Sequence, residues 1–430
     1  MKETAKQKVH VITMGCAKNT VDSEKLMAQL GHSNIELTAD PGAADVAVIN
    51  TCGFIDAARQ ESVDAIIESV RRKSDGSLRK VYAMGCLTER YGEALRKEIP
   101  EVDGFFGSDQ LPAVLRELGA EYRKELLGER MLTTPSHVAY LKISEGCDNP
   151  CAFCAIPLMR GKHVSRPVEE VVGEAELLAE KGVRELVVIG QDTTLYGVDI
   201  HGSRSLAGLL ERIAGVPGIE WVRLMYAFPA KFPMDVLDVI AENPKLCKYL
   251  DMPVQHVSDT VLKSMRRGIS RRALLNLIEK IQVRIPGIAL RTTLIVGYPG
   301  ETEREFSELL SFVRAARFAR LGVFTYSREE GTSAWPLGDP VPAVEKERRR
   351  AAIMEAQRAI SEERNEGLIG SRIRVLIDRV EDGQFIGRTE HDAPEIDNEV
   401  YVTSDEDLAP GMFVNAGITD ATEYDLYGRT

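Results

Sequence analysis

The feature that most constrains this chain is the rhythm of its apolar runs, which changes along its 430 residues. Short strand-like runs at 9–14, 45–50, 80–84 and 104–106 alternate with helical stretches near 21–30, 56–72, 89–98 and 111–118. Such alternation predicts a parallel sheet, because parallel neighbours need a crossover long enough to hold a helix. A second series begins at His137, with runs at 139–143, 185–189, 221–226, 249–252, 290–296 and 322–326. Helical patterns fill its gaps, for example at 168–181, 273–283 and 303–315. Six β/α units fall short of the eight that close a standard barrel, so an open partial (β/α)6 barrel is expected. A charged helix over 344–366 follows, and then the pattern changes to short alternating strands. Runs at 372–378, 384–388, 400–402, 412–418 and 424–427, with a hairpin turn at Glu381-Asp382-Gly383, read as a small all-β barrel of OB-like size. The fold class is α/β, with a linker at 133–136 and predicted domains at 1–132, 133–366 and 367–430.

Charge and cysteine usage narrow the function. The chain carries 54 Lys and Arg against 66 Asp and Glu, a net charge of -12. That balance argues against a protein gripping nucleic acid along a broad basic face. The first residues carry charge but no signal-peptide apolar core, and no apolar run is long enough to span a bilayer. A cytoplasmic protein with no membrane partner is the expectation. Seven cysteines, an odd number in a large intracellular chain, point to metal binding or redox chemistry rather than disulfides.

The strongest local signal is Cys147-Asp-Asn-Pro-Cys151-Ala-Phe-Cys154, directly after the first run of the second series. Thiolates this close at a strand's C-terminal end suit three irons of a 4Fe–4S cluster, leaving the fourth iron open. A structural zinc site fits the same spacing only with a fourth ligand, and His163 is the only nearby histidine. Cys16, Cys52 and Cys86 each end an apolar run of the first series. Strands of one parallel sheet finish at one edge, so these thiols either converge there or are three small buried residues.

The Cys147 run resembles the signature of the radical S-adenosylmethionine enzymes. Gly15-Cys16-Ala17-Lys18-Asn19-Thr20-Val21-Asp22-Ser23-Glu24, Asn50-Thr51-Cys52 and Gly85-Cys86 further resemble the methylthiotransferases, and the resemblance spans the whole chain. It implies two 4Fe–4S clusters, one on Cys147, Cys151 and Cys154 and one on Cys16, Cys52 and Cys86. It also implies S-adenosylmethionine at the open iron of the first, sulfur presented by the second, and a terminal barrel called TRAM. The cofactor is then split by one electron to a 5′-deoxyadenosyl radical, the electron coming from a low-potential donor of flavodoxin or ferredoxin type. Cofactor-binding candidates implied in the same way are Phe153, Gln191, Asp192, Gln255 and Gly297. The sequence has Gly190-Gln191-Asp192 where the family usually has Gly-Gly-Glu, Gly297 equally suits a strand-end turn, and His256 reads as structural. Cys247 matches no cluster motif.

Two branches of that family compete, one modifying adenosine in transfer RNA, the other the β-carbon of an aspartate in the twelfth small-subunit ribosomal protein. Ser144-Glu145-Gly146-Cys147, Gln191–Gly197, Met252–His256 and Glu395–Val402 resemble the ribosomal-protein branch. Residues 367–430 hold five Arg, no Lys and fourteen Asp or Glu, a net charge of −9 that leaves −3 for the rest. Such a barrel repels phosphate and attracts a basic ribosomal protein, unless the acid only serves solubility. Arg266, Arg267, Arg271 and Arg272 form the one dense basic cluster of the second domain, either touching ribosomal RNA or ending a helix in solvent. A non-catalytic, metal-stabilised RNA- or ribosome-binding protein is the alternative from another class.

Overall fold

The structure, a computed structural model, describes residues 6–430. The chain divides into two compact units. The first comprises residues up to 133 with 140–148 and 154–177.

Its centre is a parallel sheet of β1 (Gln7–Thr13), β2 (Ile35–Leu37), β3 (Val46–Thr51), β4 (Lys80–Gly85) and β5 (Gly104–Phe106) in the order β2-β1-β3-β4-β5. Helices α1 (Ala17–Gly31), α2 (Asp56–Ser74) and α3 (Cys86–Glu98) cross between strands, and α4 (Leu111–Glu117) follows the last one. Every residue of β3 is buried, as expected of a central parallel strand covered on both faces. Its side chains alternate: Val46 and Val48 join Leu26, Leu30 and Tyr82, while Ala47 and Ile49 join Ile66, Val81 and Ala83. The same unit holds the end of β6 (Val138–Lys142), the antiparallel pair β7 (Ser144–Glu145) and β8 (Val164–Ser165), and the short helix α5 (Ile156–Arg160).

The second unit comprises residues 134–139, 149–153 and 178–430. It contains a sheet in the order β13-β12-β11-β10-β9-β6, built from β6 (Val138–Lys142), β9 (Glu185–Ile189), β10 (Trp221–Leu224), β11 (Leu246–Asp251), β12 (Ala289–Val296) and β13 (Arg320–Thr325). Neighbouring strands from β9 to β13 pair in parallel and in chain order, the arrangement of the expected partial barrel. The long helix Ala343–Glu366 packs against β13.

The five last strands, β14 (Arg372–Glu381), β15 (Gln384–Thr389), β16 (Val400–Thr403), β17 (Phe413–Ala421) and β18 (Leu426–Arg429), close a barrel in the order β14-β15-β16-β18-β17. The expected hairpin forms with Asp382 and Gly383 at φ 48° and 80°, the pair of left-handed residues that a two-residue turn of type I′ requires. Alternate residues Val375, Ile377, Val400, Val402, Ala416 and Ile418 fill the barrel.

The barrel is fastened to the sheet by buried charge. Glu185 of β9 accepts from Arg223 of β10 at 2.7 Å and from Arg388 of the barrel at 2.8 Å. Arg223 also donates to the carbonyls of Glu390 and Thr389. Asp392 and Asp397 of the barrel meet Arg320 and Arg291 of the sheet. The barrel acid was expected on its surface, yet Asp378, Asp392 and Asp397 are largely buried against arginines or His137. Glu381, Asp382, Glu395, Asp405, Glu406, Asp407 and Asp420 remain exposed, so the outward charge is smaller than the composition suggests.

Candidate cluster and cofactor site

Three strand ends of the first unit bring Cys16, Cys52 and Cys86 together. Cys16 caps α1 just beyond β1, Cys52 follows β3, and Cys86 opens α3 directly after β4. A Cβ on Gly15 would lie 2.6 Å from Cys52 Cβ and 2.8 Å from its sulfur, and Gly15 has φ +92°. A Cβ on Gly53 would lie 2.9 Å from the Cys86 backbone. The Asn19 amide donates to the carbonyls of Met14 at 2.8 Å and Thr51 at 3.0 Å. The Asn50 amide donates back to Asn19 O and to Ser23 Oγ, both at 2.9 Å. Asn50-Thr51-Cys52 therefore has a structural logic: its polar residues bind the strand ends that its cysteine joins.

Cys16 is exposed whereas Cys52 and Cys86 are buried. Burial pushes the Cys52 thiol up and the Cys86 thiol up to about 11. A side chain that sequence reasoning missed opposes this at Cys86. Arg160, at the end of α5, donates its Nε–H to Cys86 Sγ at 3.1 Å. Burial disfavours its charge, but Asp22 and Glu145 outweigh that and hold its pKa above the usual value.

The cysteines of the second triad lie between β7 and α5. Cys147 follows Gly146, and its N–H donates to Gly161 O at 3.2 Å. Cys154 precedes Ala155, the cap of α5. In the second unit, Cys151 Sγ accepts from Arg267 Nη1 at 3.2 Å. Arg267 is buried, stacks at 4.2 Å on the Phe228 ring and donates to Pro253 O. Of the four arginines of that basic cluster, Arg266 and Arg272 are exposed and Arg271 is half-buried, while Arg267 turns inward to the sulfur. The remaining unassigned cysteine, Cys247, is a core residue of β11.

Of the other sequence candidates, Gln191, Asp192, Gln255 and Gly297 follow strands of this unit's sheet, and Phe153 lies in the cysteine segment. Asp192, just beyond β9, accepts from Thr194 N–H and hydroxyl through one oxygen. Its other oxygen accepts from Asn149 at 2.6 Å, which ties the strand end to the cysteine loop. Gln191 precedes it and is half-buried. Gln255 has φ +72° and bridges to Leu294, and its buried side-chain oxygen has no hydrogen-bond partner among the described residues. His256 is fully buried, and burial pushes its pKa down to about 3, consistent with a neutral structural histidine. Phe153 packs with Tyr298, Tyr326 and Ala334. At Gly297, with φ +74°, a Cβ would lie 2.4 Å from Lys346 Cγ, so a lysine stem fills the space next to this glycine.

The first triad offers three thiols, a donor set that suits an iron–sulfur cluster, and Gly15 leaves no room for a side chain against Cys52. Among the described residues, no three His, Cys, Asp or Glu side chains close around one point as ligands of a single ion. A cluster binds each thiolate to a different iron and asks for wider spacing. Among the described residues no helix is long and apolar enough to cross a membrane.

Comparison with known proteins extends these observations. Family models match residues 8–107 (Uncharacterized protein family UPF0004), 141–313 (Radical SAM superfamily) and 369–430 (TRAM domain). The ribosomal protein uS12 methylthiotransferase RimO of Cytophaga hutchinsonii is 54% identical over 431 residues, covering 100% of this chain and 99% of its own. The protein of the same name from Chloroherpeton thalassium is 55% identical, covering 99% of each. Among solved structures, the radical S-adenosylmethionine methyltransferase TsrM of Kitasatospora setae shares the fold, with a TM-score of 0.56 at 15% identity over 77% of each chain.

Proposed function

This chain belongs to the family of ribosomal protein uS12 methylthiotransferases, and from that membership we propose how its own residues serve the reaction. It is a radical S-adenosylmethionine methylthiotransferase acting on ribosomal protein uS12, with a 4Fe–4S cluster and S-adenosylmethionine as cofactors. The observation that carries this reading is identity above one half along the entire chain with enzymes of that name.

Cys147, Cys151 and Cys154 hold the cluster that meets S-adenosylmethionine, and Cys16, Cys52 and Cys86 hold a second one. The second assignment is supported by the convergence of three strand ends on one thiol set. When bound, these groups supply hydrogen abstraction from the β-carbon of an aspartate and the sulfur inserted there. The protein's part is to hold and orient. Arg267 steadies the Cys151 sulfur, and Asp192 steadies the cysteine loop through Asn149. Gln255 offers a buried amide oxygen to the cofactor, with Gln191 and Gly297 on neighbouring strand ends. Phe153, packed on Tyr298 and Tyr326, excludes water from the floor of that site.

Three parts divide the work: residues 1–132 for the second cluster, 133–366 for radical chemistry and 367–430 for recognising the basic substrate. The enzyme works in the cytoplasm, takes electrons from a flavodoxin- or ferredoxin-type donor and contacts the ribosome. Mass spectrometry of a deletion strain tests the function: uS12 loses the methylthio mass and transfer RNA keeps its own. An unchanged uS12 would refute it. Anaerobic iron and sulfide analysis tests the assignment of two clusters, which predicts that Cys147→Ala/Cys151→Ala/Cys154→Ala retains about half the iron of the parent.

A further inference from the structure

Arg160 occupies an unusual position in the first unit. It ends α5, the single helical turn that starts just beyond Cys154, and it reaches a cysteine that lies 74 residues earlier in the chain. Its guanidinium makes a different bond through each nitrogen. Nε–H donates to Cys86 Sγ at 3.1 Å, Nη1 to Asp22 at 2.6 Å and to Glu145 at 3.3 Å, and Nη2 to Asn19 Oδ1. Asn19 is the residue that binds the strand ends under Cys16 and Cys52. The next residue in the chain, Gly161, accepts the Cys147 N–H, and Ala155 and Met159 of the same turn pack on Cys86. One turn of helix thus touches cysteine segments of both triads.

The orientation of the fork is informative. Asp22 and Glu145 already have a cation in Lys142, which pairs with both. Arg160 balances the second carboxylate, but charge balance alone does not require its Nε–H to face a sulfur. Arg160 directs its Nε–H at sulfur, and its planar fork meets a carboxylate, an amide oxygen and that sulfur together. Donors aimed at cluster sulfurs stabilise the more negative, reduced state, and so set the reduction potential.

We propose that Arg160 is a positioning residue for the second cluster: it fixes the Cys86 sulfur, raises the potential of that cluster and couples it to the loop of Cys147 and Cys154. This rests on the two-cluster assignment made above. The test uses the full chain carrying Cys147→Ala, Cys151→Ala and Cys154→Ala, reconstituted anaerobically with iron and sulfide so that only the first triad loads. A dithionite titration with mediators, followed by electron paramagnetic resonance, then reads the one-electron couple. Arg160→Met in that background should reduce the equilibrium constant for reduction at least tenfold, which is about 59 mV for one electron. Arg160→Lys should move it in the same direction by less. Lys142→Met removes the same charge from Asp22 and Glu145 without touching Cys86, and should move it less than Arg160→Met.

A change below about threefold in Arg160→Met, or an equal change in Lys142→Met, overturns the inference. If Arg160→Met takes up no cluster, Arg160→Lys decides by the same comparison. Failure of Arg160→Lys to load while Lys142→Met loads also overturns it, since the arginine would then be a condition of assembly and not a tuner. A parent that takes up no cluster sinks the two-cluster assignment itself, an outcome distinct from a loaded cluster with an unmoved potential.

Discussion

Replacing Glu185 by glutamine should separate the terminal barrel from its anchor, and the size of the effect follows from the geometry. Glu185 is fully buried and receives Arg223 on one oxygen and Arg388 on the other, at 2.7 and 2.8 Å. Glutamine keeps one acceptor oxygen, and its NH2 group must face the second guanidinium, donor against donor. Arg388 retains Asp378 and Arg223 retains backbone carbonyls, so neither cation is stripped of every partner. Breaking one member of a buried ion network costs about 3–5 kcal/mol. Acid provides a second readout. Burial raises the Glu185 pKa, but Arg388 and Arg223 outweigh it and hold it below 4.5. A carboxylate depressed in the fold contributes stability that is fully present above its unfolded pKa and is lost as pH falls through its folded value. The gap between parent and Glu185→Gln should therefore be full near about pH 7.5 and shrink below about pH 4.5. Urea unfolding of the cluster-free chain, followed by Trp221 fluorescence with Trp335→Phe in both proteins, reports on the right interface. Trp221 packs edge-on against Phe413 of the barrel at 4.9 Å. A loss under about 1 kcal/mol at neutral pH, or a gap that does not change on acidification, would refute the reasoning.

Three further outcomes follow from individual side chains. Neutralising the exposed Asp405, Glu406 and Asp407 together should weaken capture of the basic ribosomal protein about tenfold at low salt, at roughly 0.5 kcal/mol per rim charge, with deoxyadenosine formation unchanged. Calorimetry that finds the same affinity in parent and variant would remove charge as a basis for substrate choice. Gly297→Ala forces a Cβ to φ +74° and within 2.4 Å of Lys346, whose ammonium donates to Tyr326 O at 2.8 Å. A cost of about 2 kcal/mol is expected, and an unchanged melting temperature would show that the lysine moves freely. Burial holds the His256 pKa at about 3, so its stabilising neutral form persists above the usual histidine pKa and is lost only in strong acid. Its ring resonances should stay constant between about pH 5 and 8; a titration there would mean that the site is wet.

The parts that were legible in the sequence are those where one-dimensional period maps onto burial. Residues 46–49 of β3 read as an unbroken apolar run because alternate residues enter two cores, so sheet and crossovers could be read directly. The cysteines could be read because parallel strands end at one edge, which makes residues as far apart as Cys16 and Cys86 neighbours. Strand β2 escaped because three residues, one of them an exposed Glu36, make no period. Arg160 and Arg267 escaped for a different reason. A basic residue in sequence looks solvated by default, and nothing local distinguishes one that turns inward to a thiol 74 or 116 residues away.

Charge counted from composition overstates what the barrel presents outward. The net −9 of residues 367–430 treats all fourteen carboxylates alike, although folding sorts them into two populations with different work. Asp378, Asp392 and Asp397 face arginines or His137 and help fix the barrel to the sheet. Even among the exposed acids Asp405 meets Arg429 at 2.6 Å and Glu381 meets Arg379 at 2.7 Å. The field offered to a basic partner is therefore carried by fewer groups than composition implies, and it is screened by salt where the buried pairs are not. The two populations separate experimentally. Asp392→Asn should lower stability and leave capture intact, whereas the Asp405–Asp407 set should do the reverse. If both sets of substitutions weaken capture equally, docking of the barrel and recognition by the barrel are one property.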